Sequence, residues 1–197
     1  MTQQTPQQAD SFLPPDYKEP AGKYMKFAPG ENRLRVLKPS NGTPHIIIGN
    51  LLWRRDNTPV RIAHDKQFRD EDYAQRRNDD NGHPEKIKFF WAFWVYNYRE
   101  DAIQVLEITQ RSIQQAIRKL TENVRWGSPF GYDICIEKSG SGLDTEYNVI
   151  PEPVMPGNET LPDWVKDTFE GMGDIDLRRL YDGGDPFEKE QQTGHKL

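Results

Sequence analysis

The residues best suited to chemistry are aromatic and lie in one short stretch, KFFWAFWVYNY, at residues 88–98. Flat aromatic rings stack on the bases of single-stranded nucleic acid, and each stacked base contributes roughly 1–3 kcal/mol regardless of its identity. Because side chains alternate between the two faces of a β-strand, this stretch has two faces. We expect Phe89, Trp91, Phe93 and Val95 to enter a core. The other face is expected to be an exposed aromatic platform made of Lys88, Phe90, Trp94, Tyr96 and Tyr98.

The alternative is that both faces of this stretch are covered, one by the interior and the other by a helix or the C-terminal segment. Phe is the ring most often found inside proteins, whereas Trp and Tyr have a polar edge that tolerates water. This difference favours the Trp- and Tyr-rich face as the exposed one.

Basic residues recur beside the aromatic ones, as a surface that binds phosphates requires. Arg33 and Arg35 alternate with apolar residues, and Arg54 and Arg55 directly follow Trp53. The sequence therefore predicts a nucleic-acid groove formed by the platform rings together with Arg33, Arg35, Trp53, Arg54, Arg55, Arg61, Lys86 and Lys88.

Sequence motifs of common enzymes are absent: there is no P-loop, G-x-G-x-x-G, G-x-S-x-G or H-E-x-x-H. The four histidines are scattered and Cys135 is the one cysteine, so we expect neither a metal site nor a cofactor. Acidic residues between 70 and 80 offer ligands for Mg²⁺ in a nuclease, but their mixture with arginines is more typical of a solvated surface. We expect a protein that is not an enzyme.

The formal charge of −5 is unevenly distributed along the 197 residues. Residues 151–197 contain 11 acidic and 5 basic residues, which leaves 20 acidic and 21 basic residues in 1–150. A nearly neutral body with an acidic end can still carry a local basic groove. No run of about 18 apolar residues is present, so we expect no membrane span and an intracellular protein.

Composition divides the chain into a disordered arm at residues 1–22, a folded domain at 23–155 and a flexible acidic tail at 156–197. Within the domain we expect a strand at 33–37, a hairpin at 46–62 with a bulge or bend at Gly49, and a polar excursion at 64–86 with a short helix. A second hairpin is expected at 88–109, a helix at 112–120 and a last hairpin at 132–150.

This order predicts an all-β-dominated fold, a small antiparallel barrel with one helix of the OB-fold type. An open sheet with the helix on one side is the alternative.

In the tail, residues 161–169 are expected to form a short helix. An anionic segment bearing apolar residues can dock on a partner protein or imitate a nucleotide strand and compete for the groove. We expect this role for Tyr181, Asp182, Asp185, Pro186 and Phe187. A tail that only increases solubility is the alternative.

An ordered series of segments carries a family resemblance. It consists of residues 24–27 (YMKF), 30–37 (GENRLRVL), 90–93 (FWAF), 95–98 (VYNY), 103–110 (IQVLEITQ), 126–129 (WGSP), 132–134 (YDI) and 142–147 (GLDTEY). The series resembles the replication single-stranded DNA-binding proteins of tailed bacteriophages. The resemblance implies an OB-fold and sequence-independent binding of single-stranded DNA in the cytoplasm of an infected bacterium. It also implies a tail that contacts phage or host replication and recombination proteins.

Two features depart from the family. Some of its members bind zinc through cysteines in the early excursion, and this excursion has none. The chain also ends in QQTGHKL rather than in acidic residues.

The leading hypothesis is a non-enzymatic protein that coats single-stranded DNA during replication or recombination. A replisome adaptor of the helicase-loading or recombination-mediator type is the alternative, and a metal-dependent nuclease is the third.

Overall fold

The computed structural model describes residues 20–153 and 161–188. Its strands are β1 (Gly30–Val36), β2 (Ile46–Trp53), β3 (Pro59–Ala63), β4 (Lys88–Asn97), β5 (Ala102–Ile108), β6 (Asp133–Ser139) and β7 (Glu146–Glu152). Its helices are α1 (Asp70–Ala74), α2 (Arg111–Glu122) and α3 (Asp163–Gly171), with 3₁₀ helices at Gly142–Asp144 and Leu177–Asp182. None of these described helices is long and apolar enough to span a bilayer. Nearly all of the predicted arm, residues 1–22, and parts of the predicted tail lie outside the described residues.

All the strands pair antiparallel in one sheet, in the order β3-β2-β4-β1-β6-β7, and β5 pairs with the other edge of β4. The N-terminal half of β4 pairs with β2, and its C-terminal end pairs with β1. The predicted fold class, a strand-dominated OB-like fold, is confirmed. The sheet is not a closed barrel, however, because no pairing within the described ranges joins β3 to β7.

One face of β4 packs on α2. The buried residues Phe93 and Val95 of β4 share one core cluster with Ile113 and Ile117, which lie four residues apart on the apolar side of the helix. Residues spaced in this way share one helix face. The helix predicted at 112–120 is present, and it covers one side of the sheet, as in the alternative to a barrel.

The opposite face of β4 packs on the C-terminal segment, which we define as residues 161–188. Phe90 and Trp94 are 0% exposed and Tyr96 is 3% exposed, since apolar residues of the C-terminal segment lie over them. The covering side chains include Val165, Phe169, Leu177 and Leu180. We expected a flexible tail here, but these side chains bury enough apolar surface to hold residues 161–188 on the sheet.

Gly49 lies in a regular stretch of β2, opposite Ala63 of β3 and Phe90 of β4, so the predicted bulge is wrong. A Cβ atom at this position would be 1.9 Å from the carbonyl oxygen of Ile62. Glycine is therefore required because the β3 backbone approaches too closely for any side chain.

Replacing Gly49 by Ala should lower the free energy of unfolding by about 1–3 kcal/mol, the usual cost of forcing extra volume into a packed interior. Urea denaturation measures this change. Gly131→Ala is the matched control, because a Cβ at Gly131 has no atom within 4 Å. Equal stability of the two variants would contradict the close approach of β3.

The packing of the C-terminal segment is tested by Leu177→Ala, which removes a side chain that is 0% exposed. Such a truncation should cost about 2–5 kcal/mol of unfolding free energy. Leu143→Ala is the control, since Leu143 is 106% exposed and its loss should leave the urea midpoint unchanged. If Leu177→Ala is also silent, the segment does not pack on the sheet in solution.

Candidate nucleic-acid interface

The predicted aromatic platform is not exposed. Phe90, Trp94 and Tyr96 are buried under the C-terminal segment. Trp94 meets Phe169 and Phe187 with ring centroids 5.9 and 4.9 Å apart, and Tyr96 meets Trp164 at 5.9 Å. The predicted exposure of this face is therefore wrong, and the alternative in which both faces are covered is correct.

Polar groups of the buried rings are used inside the protein. The Tyr96 hydroxyl donates to Asp101 Oδ1 at 2.5 Å, and burial together with this carboxylate raises the pKa of the phenol. Tyr98 is half-buried, and its hydroxyl donates to Asp133 at 3.1 Å. Neither ring is free to stack on a base in this arrangement.

Most of the predicted phosphate-binding cations are neutralised by carboxylates of the protein. Arg33 and Arg35 lie 2.7 and 2.6 Å from the buried Asp133, and Arg33 also pairs with Glu152. The remaining pairs are Arg54 with Asp72, Arg61 with Glu107 and Lys88 with Glu85. By contrast, Arg55 and Lys86 are exposed and form no ion pair within the described residues.

The predicted residues are also not brought together in one groove. Arg33, Arg35 and Tyr98 lie at the C-terminal end of β4, around Asp133. Lys88 lies at its other end, opposite Leu51 of β2 and near the Trp53–Arg55 segment. At about 3.3 Å per residue, the two ends of this ten-residue strand are roughly 30 Å apart.

Two carboxylates, Asp72 and Glu85, organise the excursion between β3 and β4. Burial raises the pKa of Asp72, but hydrogen bonds from Arg54 and Arg69 outweigh it and hold this pKa below its ordinary value. Glu85 has a lowered pKa in the same way, because hydrogen bonds from Arg77 and Lys88 outweigh its burial. Trp53 packs here under the Arg77 guanidinium, 5.3 Å from the ring centroid. Residues 20–153 and 161–188 contain no group of three or more His, Cys, Asp or Glu side chains placed to hold a metal ion.

The accessible aromatic surface lies on the opposite face of β4, beside α2. Phe89 is 45% exposed and Trp91 is half-buried, and both line a cavity of about 450 Å³. The α2 side of this cavity is polar and carries Arg111, Gln114, Gln115 and Arg118. Residues 111, 115 and 118 share one face of the helix because they are four and three positions apart.

A second cavity of about 240 Å³ adjoins the first, and Trp91 and Arg118 line both. Its walls are mainly apolar and include Ile46, Ile48 and Phe130. His45 stands at one wall, edge-on to Phe130 with ring centroids 5.2 Å apart. We call the two cavities together the β4–α2 groove.

The two covers of the sheet differ in charge. Residues 110–127, which contain α2, have four basic residues and one acidic residue, whereas residues 161–188 have three basic and eight acidic residues. Arg111 forms no ion pair within the described ranges, and Arg118 pairs only with the exposed Glu122 at 2.7 Å. An anionic strand is therefore attracted to the α2 side and repelled from the other side.

The residues of the β4–α2 groove were missed in the sequence because Phe89 and Trp91 are predicted to enter the core with Phe93 and Val95, whereas only the latter two are buried. The sequence does carry a signal that the C-terminal segment packs on β4. This signal is the spacing of its apolar residues Val165, Phe169, Leu177 and Leu180. The spacing of Arg111, Gln115 and Arg118 also predicts a polar stripe on α2. His45 and Phe130 are far apart in sequence, and only the folded chain brings them together.

The predicted partner-binding residues of the tail are held on the body of the protein. The Tyr181 hydroxyl donates to the Ile48 carbonyl at 3.0 Å, Phe187 packs on Trp94, and Asp185 bonds to Lys23. Pro186 is buried and Asp182 is exposed. The tail is thus anchored at this point, and the contacts expected of it with other proteins stay a prediction.

Comparison with known proteins identifies one relative of stated function. The chain is similar to the probable ssDNA-binding protein of Escherichia phage T5, with 34% identity over 71 residues. The match covers 36% of this chain and 27% of the phage T5 protein, so it spans about a quarter of that relative's length. No family model and no solved structure matches this chain. The resemblance to phage single-stranded DNA-binding proteins that the sequence indicates is confirmed by this relative.

Proposed function

We propose that this chain is a sequence-independent single-stranded DNA-binding protein that contacts the strand through the β4–α2 groove. The observation that carries the proposal is the position of the accessible rings of Phe89 and Trp91 beside Arg111 and Arg118 of α2. Rings that stack on bases next to cations that neutralise phosphates are the recurring design of single-strand binding surfaces. Similarity to the phage T5 protein supports the same function.

Coating of single-stranded DNA during phage replication or recombination, in the cytoplasm of the infected host, is the biological role that we propose. The side chains of the groove offer stacking and charge, which do not depend on base sequence. The exposed cations Arg55 and Lys86, near Trp53, are proposed as a further phosphate contact outside the groove.

A replisome adaptor is the second candidate function. The acidic C-terminal segment favours it, because Trp164 is 43% exposed there among Asp163, Asp167 and Glu170. An exposed Trp among acidic residues suits a basic protein partner. DNA binding and partner binding would then use opposite sides of the sheet.

Stacking in the groove is tested by Trp91→Ala. We expect the affinity for oligothymidylate to fall about 10- to 100-fold, since a stacked base contributes roughly 1–3 kcal/mol. Fluorescence anisotropy measures the affinity, and circular dichroism verifies folding. Trp164→Ala removes an exposed Trp from the acidic side and should leave affinity unchanged. The groove is the wrong surface if Trp164→Ala weakens binding more than Trp91→Ala.

Phosphate contacts are tested by the salt dependence of binding. Each lost contact should reduce the slope of log affinity against log salt by about 0.7 for a single strand. Arg111→Gln combined with Arg118→Gln should therefore reduce the slope by about 1.4. Lys166→Gln, on the exposed side of α3, is the control and should preserve the slope. An unchanged slope in the double variant would show that these arginines do not contact phosphates.

A further inference from the structure

The two cavities of the β4–α2 groove have complementary chemistry. The larger carries the guanidinium of Arg111 and the amide of Gln115, whereas the smaller is mainly apolar, with Ile48 and Phe130 among its walls. Trp91 and Arg118 stand between them, because both side chains line both cavities. A nucleotide has the same division, with a flat base of largely apolar faces on one side and an anionic phosphate on the other.

We propose that the smaller cavity, which we call the base pocket, receives one unstacked base, while the larger cavity holds the adjoining phosphates. This inference rests on the proposed function and specifies how the groove would bind the strand. The base pocket, with a volume of about 240 Å³, is large enough for several water molecules. Its apolar walls give so many waters few hydrogen-bond partners, so an apolar ring is the better occupant.

Arg118 is available for the adjoining phosphate. Its side chain is 70% exposed and pairs with Glu122, which is 59% exposed, and such surface pairs contribute little to stability. Exchange of this carboxylate for a phosphate therefore disturbs nothing in the fold. Arg111, about two turns earlier on α2, extends the cationic surface along the helix.

Insertion of a base would also make the protein prefer single-stranded over double-stranded DNA. Bases of a duplex are stacked and paired, and extracting one costs a few kcal/mol, a cost that is least for a base already in a single strand. The base pocket thus selects single-stranded DNA by requiring a base that is free to turn out of the stack.

The experiment compares two oligonucleotides on the full-length protein by fluorescence anisotropy. One is oligothymidylate of about 16 nucleotides, the upper range for one OB-fold, and the other is an abasic strand of the same length and charge. The wild-type protein should bind the abasic strand at least about tenfold more weakly. Equal affinity for both strands would overturn base insertion, and with it the stacking expected of Phe89 and Trp91, but binding of single-stranded DNA would stand. No binding to either strand would overturn the proposed function itself.

Variants separate the two cavities. Phe130→Ala and His45→Ala alter the base pocket alone and should weaken binding of thymidylate while leaving binding of the abasic strand unchanged. Arg111→Gln alters the phosphate side alone and should weaken both strands by the same factor. His45 is exposed, so its variant should fold even if Phe130→Ala does not. If His45→Ala and Phe130→Ala preserve the ratio of the two affinities, no base enters this pocket.

Discussion

Strand β4 has apolar side chains on both faces, and the stability of the fold depends on covering each of them. Helix α2 covers Phe93 and Val95, and the C-terminal segment covers Phe90, Trp94 and Tyr96. β4 is also the strand that pairs with β1, β2 and β5, so both layers and three neighbouring strands rely on it. Phe89 and Trp91 lie where α2 no longer covers the sheet fully, and the aromatic surface left there forms the groove.

The two elements that cover the sheet, the C-terminal segment and α2, carry opposite charge. The C-terminal segment places eight acidic residues over one face, whereas α2 and its flanks place four basic residues over the other. Net charge conceals this division, because a formal total of −5 is unfavourable for a protein that binds nucleic acid. What decides whether a strand can bind is the local field beside the accessible rings, and the acidic cover lies on the far side of the sheet.

The strands, the helix order and the fold class could be predicted because alternation and helical spacing are local patterns. Alternation also gave the correct two faces of β4. Alternation could not show that both faces are covered, because the second cover is formed by residues 165–180, more than sixty positions away in the chain. The arginines were misjudged for the same reason: Arg33 and Arg35 meet Asp133 only in the folded sheet. A basic residue is recognisable in a sequence, but its distant counterion is not.

The C-terminal cover has a consequence for synthesis of the chain. Ribosomes release residues from the N-terminus onward, so β4 emerges about 80 residues before Leu177, which at 5–20 residues per second corresponds to roughly 4–16 seconds. During that interval the C-terminal segment does not yet cover the rings of Phe90, Trp94 and Tyr96. These rings then form an exposed apolar surface on the nascent domain. Overexpression and C-terminal truncation should therefore favour aggregation, and chaperone demand should be greatest before translation ends.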